Sequence, residues 1–463
     1  MGGKSNKVLV VKFGGSVLSS PEDYLRASDI VRDLLGEGWR VVVVVSAMKG
    51  VTDTLLEITY SPRESAGELL GRIAEMHRKV LAGSLDTPYF EKYYLDLSKL
   101  LNELAKTVWA IEVLGEVTPR IRDFIVSFGE KLSALIMSSV LEYRGVKSRW
   151  LTGGDAGIVT DESYGEAKPL MPETIYRVRD SLYPLLDSGI TPVVTGFIGR
   201  SMRGNTTTLG RGGSDYSAAL IASALEAVEV RFYTNVEGVL SANPSIFPEA
   251  STIKKLAIEE AMELSYLGAK RFHPRTFEPL KNSASIARIL SFYNPHGPNT
   301  VVHGTCDGDN GVKAIIVDDD IAIVNVEGPT MVGRIGTAAE VMSLAWKAGV
   351  NIRAISQPIS ETVITLVLSR SDGDKLASMV EEELKPRGIV ENVEVLNDAA
   401  AVAVVGCGLS KPEVQGRILD IVKGVEVYGL LRGLRGSSMT IITKPDTALE
   451  VARRIHQEVV MGG

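Results

Sequence analysis

The amino-acid sequence predicts an α/β protein. One large domain is built on a mostly parallel sheet and is followed by two small βαββαβ units of ferredoxin-like type. Three observations predict this. Continuous apolar runs such as 8–11 (Val-Leu-Val-Val) and 41–45 (five valines) are strand-sized and suit strands covered on both faces. Strand-like and helix-like segments alternate to about residue 315. After Gly311 the order becomes strand, helix, strand, strand, helix, strand, and it then repeats.

The elements follow in order. The run 8–11 ends at Lys12 and the turn Gly14-Gly15-Ser16, and a helical pattern over 22–35 stops at Gly36 and Gly38 before the strand 41–45. This is a βαβ unit. Residues 64–143 are mostly helical in pattern, punctuated near 114–119. Strands at 148–151, 191–195, 228–233 and 285–290 then alternate with helices near 171–187, 215–226 and 258–267. In the C-terminal part the pattern predicts strands 321–326, 352–356, 362–369 and 390–396 with helices 333–348 and 374–384. The repeat has strands 401–405, 425–430 and 438–443 with helices 412–422 and 447–460. The second unit is shorter and lacks or borrows its last strand; one larger α+β domain is the alternative.

Composition bounds the function. The 463 residues suggest about three domains. With 50 Lys and Arg against 57 Asp and Glu the net charge is −7, which argues against a dedicated nucleic-acid binder. Two cysteines, Cys306 and Cys407, cannot make a disulfide framework or a four-thiolate metal site, and the five histidines show no paired ligand spacing. No metal ligands are expected from the chain. No uninterrupted apolar run approaches a membrane span and no signal peptide opens the sequence, so a cytoplasmic protein is expected. Glycine is in excess, 45 residues or about 10% against an average near 7%.

Two motifs carry chemistry. Lys12-Phe13-Gly14-Gly15-Ser16 follows a strand, where backbone N–H groups can approach phosphate oxygens and Lys12 adds a point charge. A purely structural glycine turn reads the same way. Gly2-Gly3-Lys4-Ser5 lacks the earlier glycine and preceding strand of a Walker A loop. The second motif is Thr206-Thr207-Thr208-Leu209-Gly210-Arg211-Gly212-Gly213-Ser214-Asp215, entering a helix. An N-cap role explains Ser214 or Asp215 but not an arginine nested among glycines, which can grip a carboxylate in a bidentate fork.

With these residues the chain resembles the aspartate kinases of the amino-acid kinase family over nearly its whole length. Further matching segments are Ser46-Ala47-Met48 with Gly50-Val51-Thr52, Ser127-Phe128-Gly129-Glu130, Gly196-Phe197-Ile198-Gly199, and the run from Met262 to Lys270 with His273-Pro274. The resemblance implies an α/β/α sandwich over 1–315, and ACT-type regulatory units at 316–398 and 399–463. It implies that Lys12 neutralises the transferring phosphoryl group and that Asp215 orders the lysines around it. Gly14, Gly15, Ser16, Gly212, Gly213, Thr234, Asn235, Leu240 and Lys270 would bind ATP. Arg211 would take the substrate α-carboxylate, Glu130 its ammonium, and Ser46, Thr52 and Ser214 the rest of the amino acid. Taken alone, Ser46 could simply end a strand, Thr52 cap a helix, and Glu130 and Lys270 be solvated charges.

The implied reaction is ATP-dependent phosphorylation of L-aspartate to 4-phospho-L-aspartate, the first step toward lysine, threonine and methionine, with Mg²⁺ carried largely by the ATP phosphates. A chain ending at Gly463 would have no fused homoserine dehydrogenase. A homoserine kinase on the same scaffold is the nearest alternative, and a silent amino-acid sensor a more distant one. The ACT-like units imply a homodimer or higher homo-oligomer, with no nucleic-acid or membrane partner.

The chain departs from the family pattern in three places. Gly15 meets Ser16 without the usual intervening Thr. Where relatives commonly read Thr-Asp-Val-x-Gly-Val/Ile-Tyr-Thr-x-Asp-Pro-Arg, this chain has Asn235, Leu240, Asn243 and Ser245 at the Asp, Tyr, Asp and Arg positions. In the first regulatory unit Gln357-Pro358-Ile359-Ser360-Glu361 stands where Gln-Gly-Ser-Ser-Glu is common. Proline removes a backbone donor there, so weak or absent inhibition by lysine or threonine is expected.

Overall fold

The computed structural model describes residues 7–60, 65–267, 272–306, 311–432 and 436–461. The chain forms two compact units. The first comprises Met1–Val239, Thr252–Met262 and Lys270–Thr305; the second comprises Leu240–Ser251, Glu263–Ala269 and Cys306–Gly463.

The first unit is built on an eight-stranded sheet. Its order is Ser148–Leu151, Thr191–Thr195, Arg40–Val45, Val8–Phe13, Glu229–Thr234, Ile286–Ser291, Asn299–Val302, Lys255–Leu256. Neighbours are parallel except Ile286–Ser291 with Asn299–Val302. Every residue of Val8–Phe13 is buried, as a central strand covered on both faces requires. Alternation divides the two faces. Leu9, Val11, Val41 and Val43 join Tyr24, Val31 and Ile136 in one core, while the Gly213–Ala224 helix packs on the same two strands.

Residues 66–143 form four helices, Ala66–Ser84, Thr87–Leu114, Pro119–Val126 and Phe128–Tyr143. Asp86 and Thr118 cap the second and third by accepting from Tyr89 N–H and Ile121 N–H, and Gly115 in the left-handed region (φ +72°) ends the second. Pro119–Tyr143 is long and apolar enough to span a bilayer, yet 94% of its apolar window is buried inside the protein, as for a core helix. A three-stranded sheet of Val159–Thr160, Ile198–Ser201 and Thr206–Thr208, the edge strand Lys255–Leu256 and its neighbour Asn299–Val302 have no counterpart in the sequence pattern. Strands of two to four residues with mixed polarity carry too few positions to show a period.

The second unit is a six-stranded antiparallel sheet ordered Ile352–Ser356, Val363–Leu368, Ala314–Glu327, Asn392–Val405, Ser438–Thr443, Val427–Leu431. Two long strands serve both ferredoxin-like halves. Residues 321–327 pair with 392–399 in one half and 314–318 with 401–405 in the other, with register shifts between. The second half therefore takes its fourth strand from residues 314–318, ahead of the first half in sequence. The expected boundaries at 315/316 and 398/399 fall inside these two strands. Leu240–Ser251, expected within the large domain, belongs to this unit, with Ala242 and Phe247 in its core beside Val402 and Ile441. The two cysteines form a single disulfide, Cys306–Cys407, with Cα atoms 5.3 Å apart.

Candidate active site

The carboxyl ends of parallel strands carry the sequence motifs, where ligands of open α/β sheets bind. Lys12 is near the end of Val8–Phe13, Ser46 follows Arg40–Val45, Gly196 follows Thr191–Thr195, and Thr234 ends Glu229–Thr234. Sheet order thus gathers segments up to 222 residues apart. Ser46 N–H donates to Phe13 O (3.1 Å) and Gly196 N–H to Val45 O (2.8 Å), which ties the strand ends together.

Lys12 and Asp215 meet here as a buried ion pair, Nζ–Oδ1 2.6 Å. Asp215 lies in the first turn of Gly213–Ala224, whose N-terminus favours anions. The capping role is not taken by Asp215 or Ser214: the N-cap is Gly212, with no side-chain capping bond.

The glycines answer to space. A Cβ on Gly14 would stand 3.0 Å from Lys12 Nζ, and one on Gly15 would stand 2.6 Å from Ala47 O. Gly212 (φ +68°) approaches His273 so closely that a Cβ would lie 2.4 Å from its Cβ. Ser16 and Arg211 are exposed, and Ser46, Thr52 and Ser214 are half-buried. Thr52 is the second residue of the helix Val51–Tyr60.

Glu130 is buried in the first turn of Phe128–Tyr143. Its Oε1 accepts Ala47 N–H at 3.1 Å, and its Oε2 is buried without a hydrogen-bond partner. Burial pushes its carboxyl up to about 8, against the opposing effects of the Ala47 N–H and the Lys12 charge. A solvated helix charge is excluded.

Thr234 turns its hydroxyl back on the backbone, accepting Val236 N–H at 3.3 Å, and Asn235 is exposed. Gly238 (φ +89°) closes the turn against Thr300. Leu240 falls in the second unit rather than with Thr234 and Asn235. Lys270 lies outside the described residues.

Asp123 is a site-shaping residue that sequence reading missed. Its carboxylate accepts Thr208 N–H (2.8 Å), Thr208 Oγ1–H (3.0 Å) and Gly165 N–H (3.0 Å). Burial raises its carboxyl and these bonds oppose the rise. It pins the strand that leads into Leu209-Gly210-Arg211. A charge buried in the helix pattern of Pro119–Val126 was the available signal. Burial, with Arg275 and Arg211 nearby, holds the His273 imidazole below the usual range.

Residues 7–291 match the model of the amino acid kinase family. The chain belongs to the amino acid kinase family. Residues 324–384 match an ACT domain, so the kinase fold is joined to a regulatory-type module. Among relatives, the chain is 28% identical over 473 residues to the bifunctional aspartokinase/homoserine dehydrogenase 1, chloroplastic, of Arabidopsis thaliana, with 98% of this chain and 51% of that protein aligned. The chain thus spans about half the length of that relative. Among solved structures, aspartokinase III of E. coli with lysine and aspartate (T-state) superposes with TM-score 0.83 at 26% identity, covering 98% of this chain and 100% of that one. The same enzyme with aspartate and ADP (R-state) gives 0.77 at 26% identity, covering 97% and 99%. The match extends through both units of this family member.

Proposed function

We propose that this amino acid kinase is an aspartate kinase, which transfers the γ-phosphoryl group of ATP to the β-carboxylate of L-aspartate. The observation that carries the reading is Glu130 Oε2, a buried oxygen with no partner, within electrostatic reach of the Lys12 charge. An amino-acid ammonium would complete it. The similarity to aspartokinase III with aspartate and ADP supports both ligands.

In this reading a β-carboxylate oxygen attacks γ-phosphorus as the bond to the β,γ-bridging oxygen breaks, and ADP departs with that electron pair. The acceptor is already ionised at neutral pH, so no proton is removed. Catalysis then comes from positioning and charge. Lys12, held by Asp215, neutralises the phosphoryl oxygens, while Gly14, Gly15, Ser16 and the Gly212-Gly213 turn offer backbone donors. Arg211 would bind the α-carboxylate, and Ser46, Thr52 and Ser214 would frame the side chain. Thr234 and Asn235 would lie under the nucleotide. Among the described residues no group of three acidic, histidine or cysteine ligands surrounds Lys12. Mg²⁺ would be brought on the ATP phosphates, beside the Lys12–Asp215 pair, and would supply charge neutralisation there.

Homoserine is the second reading, because its hydroxyl could use Asp215 as base. The Lys12–Asp215 pair disfavours it by engaging that carboxylate with the phosphoryl-binding cation. Coupled ADP release with aspartate and homoserine side by side decides. We expect turnover with aspartate and little with homoserine; the reverse order overturns the reading. Ligand-induced thermal shifts without ADP release would instead mark a sensor.

Homodimerisation through the regulatory unit is part of the proposal. Among the described residues its edge strand Ile352–Ser356 pairs on one side only, and Ile355 and Ile359 are exposed on and beside it.

A further inference from the structure

The two halves of the second unit complete their sheets with the same backbone geometry. In the first half Gly328 follows the strand Ala314–Glu327; its N–H donates to Thr362 O (3.1 Å), and Glu391 N–H donates to Glu327 O (2.8 Å). In the second half Gly406 follows Asn392–Val405; its N–H donates to Ser437 O (2.8 Å), and Lys313 N–H donates to Val405 O (2.8 Å). A Cβ on Gly328 would lie 2.8 Å from Ile389 O, and one on Gly406 would lie 2.3 Å from Gly311 O. Residues 389–391 and 311–313 therefore lead into corresponding strands, 392–399 and 314–318.

The covalent connections differ. Residues 389–391 follow the helix Arg370–Leu384, which packs on the long strands of the first half. Residues 311–313 enter the second half from outside it, so no helix of that half precedes its fourth strand. Val363–Leu368 pairs with 322–327 and does not reach 314–318. The short ladder between 314–318 and 401–405 is met on its other edge by Ser241, whose carbonyl accepts Ile315 N–H (2.8 Å) and whose hydroxyl lies 3.1 Å from Nε2 of buried His456. The Cys306–Cys407 disulfide stands at the entry to this ladder. Cys407 directly follows Gly406, and beside it Gly408 N–H donates to Gly311 O (3.0 Å). Val312, Ile315 and Leu409 share one buried core there, which opening of the strand would expose to water.

We propose that the Cys306–Cys407 disulfide is a redox-operated clamp on the second half-sheet. Oxidised, it supplies the covalent tie that chain order supplies in the first half. Reduced by a dithiol, it releases the 314–318 edge to local opening. Cys407 is buried and Cys306 half-buried, so the incoming thiolate attacks Cys306 Sγ and Cys407 leaves as the thiolate. The second thiol of the reductant then displaces Cys306. The reductant ends as a disulfide, and two electrons and two protons have passed to the chain.

The test follows amide hydrogen exchange by mass spectrometry on the full chain, oxidised with oxidised glutathione or reduced with dithiothreitol. Alkylation of the denatured oxidised protein should find no free thiol. Reduction should speed exchange of 314–318 and 401–405 by about tenfold or more, because the closed loop no longer opposes opening, while 322–327 and 363–368 hold their protection. Reoxidation should restore the slow exchange. Cys306→Ser and Cys407→Ala should exchange like the reduced parent whether or not dithiothreitol is present. Should either variant fail to fold, the oxidised and reduced parent still decide. Two free thiols after oxidation overturn the proposal. Exchange that is the same in both redox states overturns it, as does protection lost equally from both halves.

Discussion

Lys12 Nζ and Asp215 Oδ1 lie 2.6 Å apart, although 203 positions separate the residues in sequence. One stands near the end of a central strand and the other in the first turn of a helix, so the pair links the two glycine motifs.

Replacing Lys12 with Met should lower turnover by about three orders of magnitude, since a preorganised charge on the transferring group is lost. It should also lower Tm, because Asp215 is left buried and unpaired. Adding Asp215→Asn should restore most of the Tm and none of the turnover. Thermal melts and single-turnover ADP release on both variants check this. Turnover surviving in Lys12→Met would remove the lysine from the phosphoryl site.

Glu130 gives a pH signature. Its carboxyl is raised from 4.5 to about 8 in the folded protein, so the folded state holds an extra proton between those values. Its contribution to stability is fully present below pH 4.5 and is lost as pH rises to about 8. Glu130→Gln should therefore gain Tm over the parent progressively across that window, with no further gain above it. Aspartate binding near pH 7 should release a proton as the ammonium stabilises the carboxylate. Calorimetry in two buffers of different ionisation enthalpy measures this release, and proton uptake would contradict the assignment.

Asp123→Ala should cost about 2–5 kcal/mol of stability, because it leaves two Thr208 donors and Gly165 N–H without their acceptor. Asp123→Asn should recover part of this. At temperatures where both variants are folded, kcat/KM for aspartate should fall while ATP affinity holds, because the pinned strand leads to Arg211. Denaturant titration and steady-state kinetics separate the two effects.

Lysine and threonine should inhibit weakly or not at all. Pro358 supplies no backbone N–H in the exposed turn after Ile352–Ser356, and Glu361 there accepts Gly333 N–H at 2.8 Å in a left-handed conformation (φ +56°). Initial rates across an effector series check this, and a clear inhibition curve below millimolar concentration would refute it.

Much of the layout was determined by sequence alone. The fully buried strand Val8–Phe13, the buried valines of Arg40–Val45, the helix run to Tyr143 and the repeated regulatory pattern all follow from periodicity, since each records the burial of its own element. The 206–215 run likewise showed anion-binding chemistry in its residue types. Tertiary structure decided the partners. It sent Asp215 to Lys12 instead of the helix cap, placed Asp123 under Thr208, and left Glu130 Oε2 bare. It also drew residues 314–318 into the last half-sheet and Ser241 against His456. These contacts span from 83 positions, between Ala47 and Glu130, to 215, between Ser241 and His456. Local patterning says which face of an element is buried, but not which distant group will meet it. Only the convergence of strand ends and the packing of the two cores settles that choice.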